Sequence, residues 1–198
     1  MALDQLSAWL SHRLGNPARG FGAAAEGEPT VFGARRPGFP LPAVSPAAVD
    51  AWIQLMRSRQ IGRVVCLLPE TQLRGYQGLL ETYRQRFGES NVCWSPVQDF
   101  KLADAGALTQ VILPFLAETE RRGERAVVHC SGGVGRTGHV LAAWLVSFRG
   151  MSNERAIQAV RQTGRNPRES RDPRLDQLLD RCRETFAPHA ASAERGPD

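Results

Sequence analysis

The stretch "VVHCSGGVGRTGHVLAAWL", residues 127–145, decides how the rest of the chain is read. It leaves an apolar, strand-like run at His129, crosses four glycines within residues 132–138, and enters an apolar pattern of helical spacing. Cys130 stands where the turn begins and Arg136 where it ends. Strand, glycine-rich turn and helix in that order make a cradle for an anion. Glycine lets successive backbone N–H groups point inward, and the helix N-terminus adds the positive end of its dipole. Spacing separates the motifs that share this plan. Gly133, Gly135 and Gly138 satisfy G-x-G-x-x-G, but a dinucleotide site needs a strand ending in an acidic residue about twenty positions on. The segment found there, "SNERAIQAVRQTG", places Ala156, Ile157, Ala159 and Val160 at helical spacing instead. A nucleotide-triphosphate loop would need glycine where Cys130 stands and lysine where Arg136 stands. Neither alternative fits.

What remains is Cys-x5-Arg, with His129 before it and Thr137 and Gly138 after it. A cysteine at a strand end, taken alone, is ordinarily a small buried hydrophobe. The constellation changes that reading. A nest of N–H groups at a helix N-terminus favours a thiolate, the nucleophilic form of cysteine. Arg136 offers a planar fork that grips two phosphate oxygens, and Ser131, Gly132, Gly133, Val134 and Gly135 supply the backbone of the cradle. A nucleophile on the floor of a phosphate cradle means phosphoryl transfer to sulfur. The ten residues His129 to Gly138 resemble the signature H-C-x5-R-[ST]-G of the cysteine-dependent protein tyrosine and dual-specificity phosphatases. Low-molecular-weight tyrosine phosphatases and arsenate reductases share Cys-x5-Arg, but near their N-termini. Here 129 residues precede Cys130, which favours the dual-specificity type.

The resemblance implies an aspartic acid on a separate upstream loop, acting as general acid. "NVCWSPVQDFKLADAG", residues 91–106, offers Asp99 and Asp104. Residues 91–94 read as a short strand that Pro96 ends. Asp104 suits the start of the following helix, as a cap. A loop aspartate is ordinarily just a solvated carboxylate. "PVQDF" nevertheless is similar to the family's acid loop, and Asp99 precedes Cys130 by 31 positions (130 minus 99). Asp99 is therefore the candidate acid.

The family mechanism then runs in two in-line steps. Cys130 attacks phosphorus while Asp99 protonates the leaving oxygen. Asp99 next activates the water that hydrolyses the phosphocysteine. Arg136 and the N–H groups of residues 131–136 steady the equatorial oxygens. Thr137 would hydrogen-bond the departing sulfur, and His129 would orient the loop rather than act as base. The resemblance implies no metal and no cofactor. The loop "GRNPRES", residues 164–170, departs from the glutamine-containing pattern expected at that place.

The substrate implied is a phosphorylated protein or a small phosphomonoester. "ARRPGFP", residues 34–40, resembles the R-P-G loop that borders the site in dual-specificity domains. The loop "SGGVG" carries no charge, whereas inositide phosphatases of the family tend to place lysines there to meet extra phosphates. No aromatic recognition loop is seen near the N-terminal side. Tyr76 and Tyr83, the only tyrosines, fall in a stretch read as a helix against the sheet. The cleft is expected to be shallow enough for phosphoserine and phosphothreonine as well as phosphotyrosine. A nucleotide, inositide or RNA-end phosphatase keeps the same chemistry on another substrate. A phosphate-binding pseudophosphatase would keep the cradle without turnover.

Composition agrees with a single enzyme domain. The 198 residues are 42% hydrophobic, enough for one core. The net charge of +5 rests on 25 basic residues of which only Lys101 is lysine. The arginines are spread along the chain without a basic block interleaved with aromatics, so no nucleic-acid partner is expected. Cys66, Cys93, Cys130 and Cys182 form no C-x-x-C pair and suit a reducing compartment. No run is apolar enough for a secretory core or a membrane span, and the expected setting is cytoplasmic.

The elements read as an N-terminal helix over 4–14 with a flexible lead to residue 28, a catalytic domain over 29–187, and a disordered tail over 188–198. Within the domain the pattern gives a strand from Thr30, a helix from Ser45–Pro46 to Gln60, and a strand in "GRVVCLLP". A helix over 70–87 and a strand over 91–94 follow, then a helix over 104–122 kinked at Pro114. Last come the strand 125–129, the helix opening at Arg136 and a helix ending near Phe186. This β/α alternation predicts an α/β fold, a central and largely parallel sheet flanked by helices. The phosphatase resemblance covers about residues 30–185 and implies that family's fold.

Overall fold

The computed structural model describes residues 20–187; the helix expected over 4–14 and the tail 188–198 lie outside the described residues. Five strands make one sheet: β1 (Gly22–Ala23), β2 (Val31–Ala34), β3 (Ile61–Cys66), β4 (Val92–Trp94) and β5 (Arg125–His129), in the order β1-β2-β5-β3-β4. Every pairing but one is parallel; β1 runs antiparallel along the edge of β2. The apolar runs in β3 and β5 are continuous because both faces are covered. Val64, Cys66 and Val127 face one helical layer, while Val65, Ala126 and Val128 face the other.

The first layer holds α1 (Pro46–Ser58) and α3 (Leu79–Phe87), which bury Trp52, Ile53, Met56 and Tyr83; the single turn α2 (Glu70–Leu73) precedes α3. Ser45 Oγ accepts a hydrogen bond from the Ala48 N–H at 3.3 Å and Pro46 opens α1, as the sequence predicts. The second layer holds α4 (Leu113–Arg121), α5 (Gly135–Phe148), α6 (Asn153–Gln162) and α7 (Leu175–Phe186). Gly135 to Val146 of α5 are buried without interruption, wedged between the sheet and its neighbours. Four strand ends (Ala34, Cys66, Trp94 and His129) open onto the same edge of the sheet, where α/β folds carry their sites.

Three stretches differ from the sequence reading. The helix expected over 70–87 is two, parted at Arg74–Gly78. Gly78 is left-handed (φ 72°), and a Cβ on Gly75 would stand 2.2 Å from the Pro42 carbonyl oxygen. The glycines are there for the turn and the close approach. Tyr76 therefore lies in a loop, not on a helix. The helix expected over 104–122 opens as a π segment (Ala107–Ile112) that runs straight into α4, and Pro114, which offers no N–H, falls at the junction of the two. The lead is not free as far as residue 28. Residues 20–28 belong to the folded unit: β1 pairs with β2, Ala24 and Ala25 are buried, and Phe21 stacks on Phe32. The buried Glu28 carboxylate accepts from the Thr30 and Val31 N–H groups at 2.9 and 3.1 Å and pairs with Arg149 at 2.8 Å.

Candidate active site

The turn between β5 and α5 is pinned by its neighbours' main chains. The Leu67 N–H donates to the His129 carbonyl at 2.9 Å, and the Arg36 N–H donates to the Ser131 carbonyl at 3.1 Å. Gly133 is left-handed (φ 71°), and a Cβ there would lie 2.5 Å from the Ala34 carbonyl oxygen. Only glycine fits. The loop 166–170 lies against the first turn of α5: a Cβ on Gly135 would meet the Glu169 carboxylate, and one on Gly138 would stand 3.0 Å from the Pro167 nitrogen. This loop, whose glutamine is missing, thus puts Glu169 beside the signature turn.

Cys130 is 2% exposed and Arg136 3% exposed, so both stand on the floor of the turn. Arg136 Nη1 donates to Gln72 Oε1 and to the Val97 carbonyl, each at 3.0 Å, and Nη2 meets Asp99 Oδ1 at 2.9 Å. Asp99 reaches down from the loop after β4 while its side chain stays 49% exposed. Asp104 is instead a cap, accepting from the Ala107 N–H at 3.2 Å. The two aspartates thus separate as their sequence positions suggest.

His129 is fully buried among Trp52 and Tyr83, with ring centroids 5.3 and 5.7 Å away. Burial pushes its pKa down to about 4, so the imidazole is neutral at neutral pH. Nδ1–H donates to the Cys130 carbonyl at 3.3 Å, which leaves Nε2 to accept from the Tyr83 hydroxyl at 3.2 Å. The ring steadies the backbone of Cys130. The Thr137 hydroxyl is buried without a hydrogen-bond partner, and the bond to sulfur expected of it is not made in this structure. Burial raises the thiols of Cys66 to about 12 and of Cys93 and Cys182 to about 11. These three are inert packing groups at neutral pH.

Several contributors escaped the sequence reading. Arg36, open to reading as a solvated charge, donates through Nε to Ser131 Oγ at 3.2 Å, through Nη1 to the Tyr76 hydroxyl at 2.9 Å, and through Nη2 to the Leu41 carbonyl at 2.7 Å. Tyr76 in turn donates to the Pro37 carbonyl at 2.8 Å. The ring of Phe39 lies 3.9 Å from where a Gly132 Cβ would stand, with the guanidinium groups of Arg35 and Arg36 5.2 and 5.8 Å from its centroid. An aromatic wall does border the turn. The R-P-G resemblance pointed to this loop; nothing in the sequence gave Gln72 or Tyr76 a partner.

Among the described residues no cluster of three or more His, Cys, Asp or Glu side chains is placed to hold a metal ion, and no helix is long and apolar enough to cross a membrane. Residues 72–180 match the model of the dual-specificity phosphatase catalytic domain. That is more than half of the chain, and the protein belongs to this family. Among solved structures it is similar to Tk-PTP in its active form, with 27% identity, a TM-score of 0.60, and coverage of 78% of this chain and 92% of that one. Kinase associated phosphatase aligns at 21% identity and TM-score 0.64 over 80% of this chain and 88% of its own. PTPMT1 in complex with PI(5)P aligns at 16% identity and TM-score 0.63 over 84% and 97%. The last two show the fold alone. No curated protein matches the sequence.

Proposed function

We propose that this phosphatase hydrolyses phosphotyrosine and phosphoserine or phosphothreonine in proteins, in a cytoplasmic setting, through a phosphocysteine intermediate. The observation that carries the reading is the 2.9 Å pairing of Asp99, from the loop after β4, with Arg136, at the end of the turn that begins at the buried Cys130. An incoming phosphate takes the Arg136 fork, since a dianion competes better for a guanidinium than one carboxylate does. Asp99, freed from the guanidinium, takes up a proton from solvent and turns toward the leaving oxygen. Cys130 Sγ attacks phosphorus, the P–O bond to the leaving group breaks, and Asp99 delivers the proton. Asp99, now a carboxylate, takes a proton from water as the water attacks phosphorus and the P–S bond breaks. Arg136 and the N–H groups of residues 131–136 hold the equatorial oxygens in both steps. Ser131, Gly132, Gly133, Val134, Gly135 and Thr137 line the phosphate, and His129 supports them. Every step uses groups of the chain itself. The free, buried cysteines suit a reducing compartment.

A protein substrate is favoured over a polyphosphorylated small molecule by the uncharged "SGGVG" turn and by Arg36, whose guanidinium is already engaged by Ser131, Tyr76 and Leu41. The ring of Phe39 gives an aryl phosphate an apolar wall. The test is a panel of matched phosphotyrosine, phosphoserine and phosphothreonine peptides beside mononucleotides and PI(5)P. Measurable kcat/KM on all three peptides is expected, with phosphotyrosine fastest because phenolate leaves more easily. Turnover confined to PI(5)P or nucleotides would replace the protein substrate. Phosphate binding without turnover of any member would mark a pseudophosphatase.

A further inference from the structure

His139 lies one turn beyond Arg136 on α5, on the same face of the helix. It is buried, and its Nε2 accepts a hydrogen bond from the Ala103 N–H at 3.0 Å. Because Nε2 accepts, the ring is neutral with its proton on Nδ1. Ala103 closes the C-terminal end of the acid loop, and Val97, held by Arg136, closes the N-terminal end. The seven-residue bridge from Val97 to Ala103 therefore hangs between two side chains set three positions apart on one helix. Between the anchors, Phe100 is left-handed (φ 56°) and 63% exposed, and the Lys101 N–H returns to the Gln98 carbonyl at 3.1 Å. Residues 98–101, between the buried Val97 and Ala103, are exposed and add no core packing of their own.

We infer that His139 is a positioning residue for the general acid, a neutral latch that fixes the far end of the acid loop to the helix carrying the phosphate clamp. This rests on Asp99 being the acid. Arg136 and His139 stand on one helix, so the latch ties the acid loop to the helix that carries the clamp. Removing the acceptor leaves the Ala103 N–H buried without a partner, and the loop moves to find water. Asp99 is then misplaced, while Cys130 and Arg136 keep their own anchors.

The test compares His139→Leu, which has no acceptor, with His139→Gln, whose side-chain oxygen can take the Ala103 N–H. Each is assayed on an alkyl phosphate and on nitrophenyl phosphate, alone and in an Asp99→Asn background, with vanadate affinity measured alongside. His139→Leu should lower kcat for the alkyl ester about tenfold or more and for the nitrophenyl ester less than about threefold, since only the former needs the acid. Vanadate affinity should hold, His139→Gln should restore most of the alkyl activity, and the leucine should add little once Asp99 is gone. Equal losses on both esters, or full additivity with Asp99→Asn, would overturn the latch. Should the leucine variant fail to fold, amide exchange in the native protein decides: protection at Ala103 comparable to that of α5 supports the latch, and fast exchange there sinks it. If Asp99→Asn itself spares the alkyl ester, the assignment of the acid fails instead.

Discussion

Residues 129–136 are held by main-chain N–H groups of Arg36 and Leu67, which follow β2 and β3, and by Gly133, a position that admits no other residue. Residues 97–103 have one main-chain anchor, from the Val97 N–H to the Leu67 carbonyl, and two from side chains of α5, with the strained, exposed Phe100 between the buried ends. Both loops meet at Arg136. On the proposed mechanism, the difference means that binding and proton transfer are separately built. A cradle made of backbone survives most side-chain changes, whereas an acid slung between side chains can be detached from it by one substitution.

The largest test of that separation is Cys130→Ser. Turnover should fall below about one per cent of wild type, since a catalytic unit lacking its nucleophile loses nearly all its advantage. Vanadate or tungstate binding, read by calorimetry, should persist. Loss of both would show that the cradle depends on the sulfur. Next, Asp99→Asn should cost ~10²–10⁴-fold in kcat on alkyl phosphates and much less on nitrophenyl phosphate. Asp104→Asn should leave both rates near wild type, because its carboxylate only caps a helix. Reversed effects would move the acid to Asp104.

A third test reads the two buried histidines through stability. Burial holds both His129 and His139 at a pKa of about 4, below the ordinary 6.5. The unfolded chain therefore binds protons that the folded chain refuses. Stability is full above about pH 6.5 and declines as pH falls toward 4, by on the order of 3 kcal/mol for each ring. Urea unfolding at pH 7, 5.5 and 4.5 measures the slope, and His139→Gln should flatten it by its own share. A slope unchanged by that substitution would mean the ring is charged in the fold. The smallest effect belongs to Tyr76→Phe, which removes the hydroxyl between Arg36 and the Pro37 carbonyl. About 1 kcal/mol of stability should go, with kcat within about twofold, since one hydrogen bond at the edge of the cradle is at stake.

The cradle was legible because its residues are contiguous: Cys130 to Gly138 carry strand end, turn and helix start in one line of text. Asp99 was legible through its fixed distance from that line, and Asp104 through the capping pattern. The contacts of Arg36 were not, since Ser131 lies 95 positions away and Tyr76 lies 40. His139 sat among apolar residues of a buried helix and looked like core, its partner Ala103 being 36 positions upstream. The break at Gly75–Gly78 was hidden by apolar residues at helical spacing on either side, although the two glycines were the signal to read. Glu28 looked like the end of a loose lead because Arg149, which fixes it, comes 121 residues later.

The sheet order has a consequence for how the molecule comes into being. β5 is the last strand in the chain and lies between β2 and β3, which do not touch each other. A ribosome that has released only the first 120 residues has delivered the β1–β2 hairpin and the β3–β4 pair, each with an open edge and no partner to close it. Such long-range parallel pairing is slow, and the waiting edges are sticky. The strand that seals both edges is β5, which ends at His129, one residue before Cys130. The nucleophile is therefore drawn into its pocket by the same event that completes the sheet, and a nascent chain stopped before residue 125 should stay unfolded in a pulse-proteolysis experiment, where one carrying residues 1–187 resists the protease.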